Sequence, residues 1–274
     1  MMSGRKKRKN LNLIFGLVIL LFFFIVMLIS FFYTPYDVNA IAVSKKLQAP
    51  SAAHWFGTDT FGRDILSRIM AGTQTAFFVG AIVVTMGIVF GTIIGGIAGY
   101  LGGWIDELIM RAVDGLMAFP GIILAIMIVA VFGTGIVNTA IALGILATPG
   151  IARIARSGFI QNKELEYVAA AKAIGVHPMK IIFREILPNI YSPLIVAASV
   201  AFAIALLAEA SLSYLGLGVQ PPDPSLGRML KESQEYLTSS PWFTLAPGLT
   251  ITLLVLGFYM LSNGIRDLTD HRSK

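Results

Sequence analysis

Cysteine is absent from this chain of 274 residues, and charge is scarce, since only 13% of the residues are Asp, Glu, Lys or Arg. The first absence excludes disulfides and thiolate chemistry. The charged fraction lies far below the roughly 25% that is typical of soluble domains. Because 56% of the residues are hydrophobic, a surface so poor in charge cannot face water. We therefore expect an integral membrane protein, and the net charge of +6 needs no nucleic acid to explain it.

Catalytic and nucleotide-binding signatures are also missing. The sequence contains no Gly-x-x-x-x-Gly-Lys-Ser/Thr motif and no Gly-Lys pair, so the chain is not expected to hydrolyse ATP. His54, His177 and His271 lie in different segments and cannot form one metal site. No local nucleophile–base signature is present. We therefore predict a chain that is not an enzyme and has no metal or cofactor of its own.

Long charge-free runs predict the membrane crossings, because about 20 apolar helical residues span a bilayer. The run 11–36 is one span, which we expect to be retained because it is too long for a signal-peptide core. The strongest part of the run 69–105 is 76–100, the second span. The run 115–152 is nearly twice the length needed and has Gly133, Gly135 and Asn138 near its middle. It is either two short spans joined by a turn or one tilted helix.

The distribution of Lys and Arg decides between these alternatives, because cytoplasmic loops carry the excess of positive charge. With six spans, the cytoplasmic segments are 1–10, 101–114, 153–187 and 266–274, and they hold fifteen of the 21 Lys and Arg residues. With five spans, only eight would be cytoplasmic. We therefore predict an all-α protein with six transmembrane helices and both termini in the cytoplasm. The fifth span is expected at 189–214 and the sixth at 243–264.

Two parts of the chain follow from this topology. Residues 1–74 are expected to hold the basic segment, the first span and an external segment. Residues 75–274 would form a core of five spans, with its largest cytoplasmic loop at about 153–187.

Glycine recurs at every fourth position in the second span, which is a chain of small-xxx-small motifs that lets another helix approach closely. Two interpretations stay open: general close packing, or a helix that lines a path between two subunits. The recurring residues are Gly87, Gly91, Gly95, Gly99 and Gly103.

The largest cytoplasmic loop predicts two short helices at an angle. Good helix formers fill 164–174, Gly175 suits the position after a helix, and His177-Pro178 opens the next helix. Pro188 is expected to end that helix before the fifth span. The small side chains of Ala169, Ala170 and Ala171 leave a low ridge that can enter a groove on a partner. The alternative is a solvated loop without a partner.

This loop resembles the cytoplasmic loop of ABC importer permeases, Glu-Ala-Ala, three residues, Gly, nine residues, Ile-x-Leu-Pro. The glycine and the Leu-Pro pair fit the spacing, whereas Ala169 and Glu185 stand at the Glu and Ile positions. The dipeptide/oligopeptide branch has its own form, Glu-Tyr-Val-x-Ala-Ala, and 166–171 matches it. Segments 54–68, 111–120 and 215–222 are similar to other parts of that family, and the C-type permease subunit is the closest likeness. The loop residues that carry the resemblance are Glu166, Tyr167, Ala169, Ala170, Ala171, Gly175, Leu187 and Pro188.

The resemblance implies a type I importer permease in the bacterial inner (plasma) membrane. It implies a second permease subunit that shares the translocation path, two ATPase subunits that bind ATP and Mg²⁺, and an extracytoplasmic substrate-binding protein. The loop would then transmit the motion of the ATPases to the spans. The implied cargo is di- or oligopeptides; nickel or a metal chelate is the alternative. A stand-alone secondary transporter is a more distant alternative. It would be expected to carry buried charges at mid-membrane for ion coupling, and the predicted spans have almost none. A membrane scaffold without transport is the other remaining class.

Two further polar positions are notable. Glu209 lies about 30 Å along the fifth span from Pro188 at 1.5 Å per residue, so it is either wetted at the external interface or a candidate gate residue. Asp64 and Arg68 have i, i+4 spacing and are expected to form a solvated pair on a short external helix.

Overall fold

The computed structural model describes residues 3–269, with side chains described for 11–268. Within that part the protein contains ten α-helices and no strand longer than an isolated bridge. The side chains of the basic segment 5–9 and the whole of His271 lie outside the described residues. The helices are α1 (Ser3–Ser30), α2 (Ile65–Leu101), α3 (Gly103–Met117), α4 (Gly121–Phe132), α5 (Ile136–Lys163), α6 (Glu166–Ala173), α7 (Pro178–Ile181), α8 (Leu187–Tyr214), α9 (Leu226–Ser233) and α10 (Pro241–Thr269).

Five of the described helical stretches are long and apolar enough to cross a membrane alone, and the bent pair α3–α4 supplies a sixth crossing when taken as one span. The bend between α3 and α4 is 87°. The break that was predicted in the run 115–152 lies between Phe132 and Ile136. Gly133 and Gly135 have φ of +97° and +135°, and the Asn138 amide donates to the carbonyls of Phe132 and Gly133 at 2.9 and 3.0 Å. These bonds satisfy carbonyls that the end of α4 leaves unpaired.

Several predicted boundaries differ from the observed ones. The first span ends at Ser30 rather than at residue 36, because the chain turns before Pro35 and the residue preceding a proline disfavours helix. The second helix begins at Ile65, so the predicted boundary at 74/75 falls inside α2. Gly103 is not part of the glycine series of α2, because Gly102, with φ of +69°, ends that helix.

Pro188 does not end a helix. A π-helical turn over Ile182–Ile186 joins α7 directly to α8, and Pro188 stands in the first turn of α8. The proline lacks a backbone N–H and cannot supply a ladder bond at this position, and the irregular π-helical turn before it accommodates the loss. Residues 178–214 therefore form one helical segment from the loop into the membrane.

Three clusters of buried side chains hold the helices together. One joins α1, α2, α8, α9 and α10, and a second joins α2, α4, α5 and α8. The third, centred on Phe159, Ile186 and Ile190, joins α5 to the loop helices and to the start of α8. The loop is thus packed on the same core as the two spans that flank it.

Candidate functional site: the cytoplasmic loop and the adjoining groove

The loop 164–187 is a helix–glycine–helix elbow. Gly175 has φ of +79°, a conformation that side chains with a Cβ rarely adopt, and the backbone N–H of Val176 donates to Ala171 at 3.0 Å. His177 caps α7, with its ring nitrogen accepting from the N–H of Met179 at 3.4 Å. The two helices expected from the sequence are therefore present and joined at Gly175.

The inner side of the elbow is fixed to the protein core. Val168 on α6 and Ile181 on α7 are fully or almost fully buried, at 0% and 1% exposure. Both belong to the cluster that contains Phe159 of α5 and Ile190 of α8. The elbow is therefore packed against both α5 and α8, and close-packed cores transmit strain.

The outer side of the elbow is exposed and carries apolar side chains among charged ones. Ala169 and Ala170 are exposed, and Ile174 at the tip has 81% of its surface accessible. Met179 and Phe183 are also exposed, at 56% and 59%, and face outward rather than into the core. Apolar side chains clustered at an exposed tip are typical of a protein contact surface.

Tyr167 connects the elbow to both neighbouring spans. Its hydroxyl donates to Asn162 Oδ1 at 3.0 Å and accepts from Asn189 Nδ2 at 3.1 Å. The same Asn189 amide donates to the carbonyl of Glu185 at 2.6 Å. Asn162 stands at the end of α5 and Asn189 at the start of α8.

Two lysines connect the loop region to the end of α2. Lys163 Nζ donates to the carbonyl of Gly99 at 2.8 Å, and Lys172 Nζ lies 5.7 Å from the centre of the Tyr100 ring. A cation near the C-terminal carbonyls of a helix is favourable because of the helix dipole. The lysines therefore hold α2 close to the elbow.

The glycines of α2 lie in the contact with α5. A Cβ added at Gly87 or Gly91 would meet Ile151 at under 3.0 Å, and one at Gly95 would lie 2.1 Å from the carbonyl oxygen of Ala152. Gly99 abuts the backbone of Arg156 in the same way. These four residues thus let two helices of the same chain approach backbone to backbone, whereas Gly103 has open space around it.

A groove of about 860 Å³ runs along α5 and α8 and is bounded by the start of α4. On α8 it extends from Ser192 to Leu212, a rise of about 30 Å, which matches the hydrocarbon thickness of a bilayer. Arg266 is the one charged side chain among the described residues that line it. The groove is therefore long, apolar and partly open to the surroundings.

Glu209 is buried, with 2% of its surface exposed, so wetting at the interface does not explain it. Its carboxylate accepts a hydrogen bond from the Ser213 hydroxyl at 2.7 Å. That hydroxyl in turn accepts from the backbone N–H of Val219 at 3.1 Å. Glu209 thereby ties the end of α8 to the segment that follows it.

A buried ionic cluster beside α9 was not expected from the sequence. Asp59 is fully buried and bonded to Arg63 Nε at 2.6 Å, and Arg63 also reaches Glu232 of α9 at 3.1 Å. Arg68 and Asp64 do not form the predicted solvated pair: both are buried. Asp64 caps α2 through the N–H of Ser67 at 2.8 Å, and Arg68 lies 3.7 Å from Asp59. Sequence spacing could not predict the contact between Arg63 and Glu232, because these two residues are 169 positions apart.

Comparison with known protein families decides what this architecture is. The sequence model of the family described as "Binding-protein-dependent transport system inner membrane component" matches residues 91–274. The chain belongs to this family. It is accordingly a membrane component of an ABC importer, and such a permease works with ATPase subunits and with a substrate-binding protein.

Curated relatives of this permease cover nearly its whole length. It is 44% identical over 270 residues to a dipeptide transport system permease protein of Alkalihalophilus pseudofirmus, covering 98% of this chain and 89% of the relative. It is 40% identical to a glutathione transport system permease protein of Pectobacterium atrosepticum, covering 89% and 81%. It is also 44% identical to a glutathione transport system permease protein of Escherichia coli, covering 88% of this chain and 80% of the relative.

A solved structure supports the fold of this permease. A chain of the MetNI methionine ABC transporter in an inward-facing conformation superposes with a TM-score of 0.56. The likeness covers 74% of this chain and 97% of the other, at 18% identity. The permease therefore has the type I importer fold, as the sequence predicted, and is a multi-pass protein of the bacterial inner membrane.

Proposed function

We propose that this permease carries di- or oligopeptides into the cell and that it shares the translocation path with a second permease subunit. The observation that carries the proposal is the apolar groove along α5 and α8, next to an elbow with an exposed outer face. A groove with one charged side chain among its described lining residues can accommodate peptides that differ in their side chains. The relatives named for dipeptide and glutathione transport support a peptide cargo.

The elbow is the proposed coupling element. Its rigid inner side and its exposed tip of Ala170, Ile174 and Met179 fit insertion into a groove on an ATPase subunit. ATP and Mg²⁺ would be bound by two such subunits, and this chain would carry out no catalysis itself. The open part of the groove needs a second wall to enclose a substrate, which supports the proposed heterodimer with a second permease.

The proposed orientation places both termini and the elbow in the cytoplasm. Lys163, Lys172, Arg153 and Arg156 lie at the end of α5 and in the elbow, as the positive-inside rule requires. Because the chain has no cysteine, Lys172→Cys provides a single label site in intact cells. An impermeant maleimide should leave it unmodified until the membrane is opened, and labelling from outside would refute the orientation.

Glu209 is proposed as a residue of the external gate. Through Ser213 it holds the end of α8 against the segment 215–225, where Gly218 also packs on Ser213. Gly227 of α9 packs on Ala210 of the same helix end. Opening the path at this end would require that contact to separate.

The coupling role is tested with the complete complex in proteoliposomes. Ala170→Glu places a charge on the outer side of the elbow, and we expect loss of ATP-driven dipeptide uptake while the permease remains in the membrane. Ala40→Glu, an exposed alanine in the segment before α2, is the matched control and should transport normally. Normal uptake and normal ATPase stimulation by Ala170→Glu would contradict the coupling role.

The cargo is tested in the same vesicles. Unlabelled dipeptides should compete with uptake of a labelled dipeptide, whereas a nickel chelate should not. Uptake of nickel without peptide competition would replace the peptide assignment with the metal alternative.

A further inference from the structure

The junction between the elbow and the membrane contains a polar connection that the family motif does not explain. Tyr167 lies on α6, yet its hydroxyl bonds to Asn162 of α5 and to Asn189 of α8, at 3.0 and 3.1 Å. One hydroxyl thus joins three helices, α5, α6 and α8. Each partner uses a separate capacity of the oxygen, since one bond is donated and the other accepted.

The second part of this junction is the π-helical turn at Ile182–Ile186. Its closing bond runs from the N–H of Leu187 to the carbonyl of Ile182. Isolated π-helical turns occur frequently at functional sites. Here the turn lies between the elbow and α8, and Asn189 spans its end by donating to Glu185 at 2.6 Å.

Packing alone does not require the tyrosine hydroxyl. The apolar anchoring of α6 is supplied by Val168, which is fully buried, whereas Tyr167 is 37% exposed. The hydroxyl therefore contributes two directional hydrogen bonds rather than buried apolar surface. It links α6 to the end of α5 and to the start of α8, on the two sides of the elbow, so that neither span can shift relative to α6 without breaking a bond.

We propose that Tyr167 is a positioning residue that makes α5 and α8 follow the elbow together, with the π-helical turn as the flexible point that the Tyr167–Asn189 bond restrains. This rests on the proposed coupling function and identifies how the motion is divided between the two spans. Without the bond, a displacement of α6 is absorbed by the π-helical turn, and ATP is hydrolysed without a matching movement of α8.

The test is Tyr167→Phe in the complete reconstituted complex, with dipeptide uptake and ATP hydrolysis measured in the same vesicles. We expect complex yield and binding-protein-stimulated ATPase activity to stay near wild type, while peptide transported per ATP falls about fivefold to tenfold, the factor expected from losing one or two hydrogen bonds. Asn189→Leu removes the bond from Tyr167 to Asn189 and should also lower this ratio. The double variant should be no worse than Tyr167→Phe, because that bond is already lost there.

Tyr191→Phe is the matched control. Tyr191 is an exposed tyrosine on α8 whose hydroxyl has no hydrogen bond to the described residues, and its removal should leave the ratio unchanged. A wild-type ratio in Tyr167→Phe would overturn the proposal. So would an equal loss of uptake, ATPase activity and complex yield, which would indicate a purely structural role.

The outcome also separates this inference from the proposed function. If wild type transports dipeptide and Ala170→Glu abolishes uptake while Tyr167→Phe behaves normally, only the positioning role fails. If the wild-type complex transports no peptide, the cargo assignment fails first.

Discussion

The sharpest stability prediction concerns Gly95, because its position against α5 leaves no space for even one carbon. A Cβ there would lie 2.1 Å from the carbonyl oxygen of Ala152 and 2.9 Å from the Cβ of Ala155. The first contact is with backbone, which cannot rotate away. Gly95→Ala therefore requires α2 and α5 to separate by about 1 Å to restore an ordinary van der Waals distance.

Overpacking of this kind typically costs about 1–3 kcal/mol, and the gain in helix propensity from glycine to alanine offsets about 1 kcal/mol at most. Each kcal/mol lowers the Tm of a chain of this size by about 2–4 °C. Thermal unfolding of the purified permease in detergent measures the difference. Gly115→Ala is the matched control, because a Cβ at this helical glycine meets nothing within 4 Å. If Gly95→Ala unfolds at or above the temperature of Gly115→Ala, the backbone-to-backbone packing of α2 on α5 is refuted.

Two further changes test the buried polar groups. Arg63→Met leaves the fully buried carboxylate of Asp59 without its closest cation, so we expect a loss of stability near the lower end of about 3–5 kcal/mol. The control Arg111→Met removes an exposed pair and should not change the Tm. Equal Tm values in the two variants would contradict the buried network. Glu209→Leu removes the acceptor of the Ser213 hydroxyl and should cost about 1–3 kcal/mol, whereas Glu209→Gln, which keeps an oxygen acceptor, should retain most of the stability; the opposite order in thermal unfolding would count against this bond.

The crossings were predictable from the sequence because their determinants are local. Charge-free length predicts a span, and the turn at Gly133 and Gly135 stands where a run twice the needed length has to break. The elbow was predictable for the same reason, since Gly175 and the His177-Pro178 pair determine backbone conformation at their own positions.

The failures occur where distant residues or unusual helix geometry decide. The pair Asp64 and Arg68 has the spacing of an exposed salt bridge, but Asp64 bonds to His54 and Ser67 instead. Arg68 lies beside the buried Asp59, so neither side chain faces solvent. Pro188 has the usual sign of a helix end, yet the π-helical turn before it puts the proline in a first turn, where it is tolerated. The bonds of Tyr167 depend on how two spans converge, which no local pattern reports.

The shortness of α4 has a consequence for how this protein is made. Its 12 residues rise about 18 Å, while the hydrocarbon core of a bilayer is about 30 Å thick. In a copy inserted without a second permease, the apolar groove would face lipid. The ends of α4 would lie inside the hydrocarbon, because the helix is shorter than the bilayer core. The proposed second permease would cover this part of the chain, so we expect a copy made without it to be degraded faster by membrane proteases.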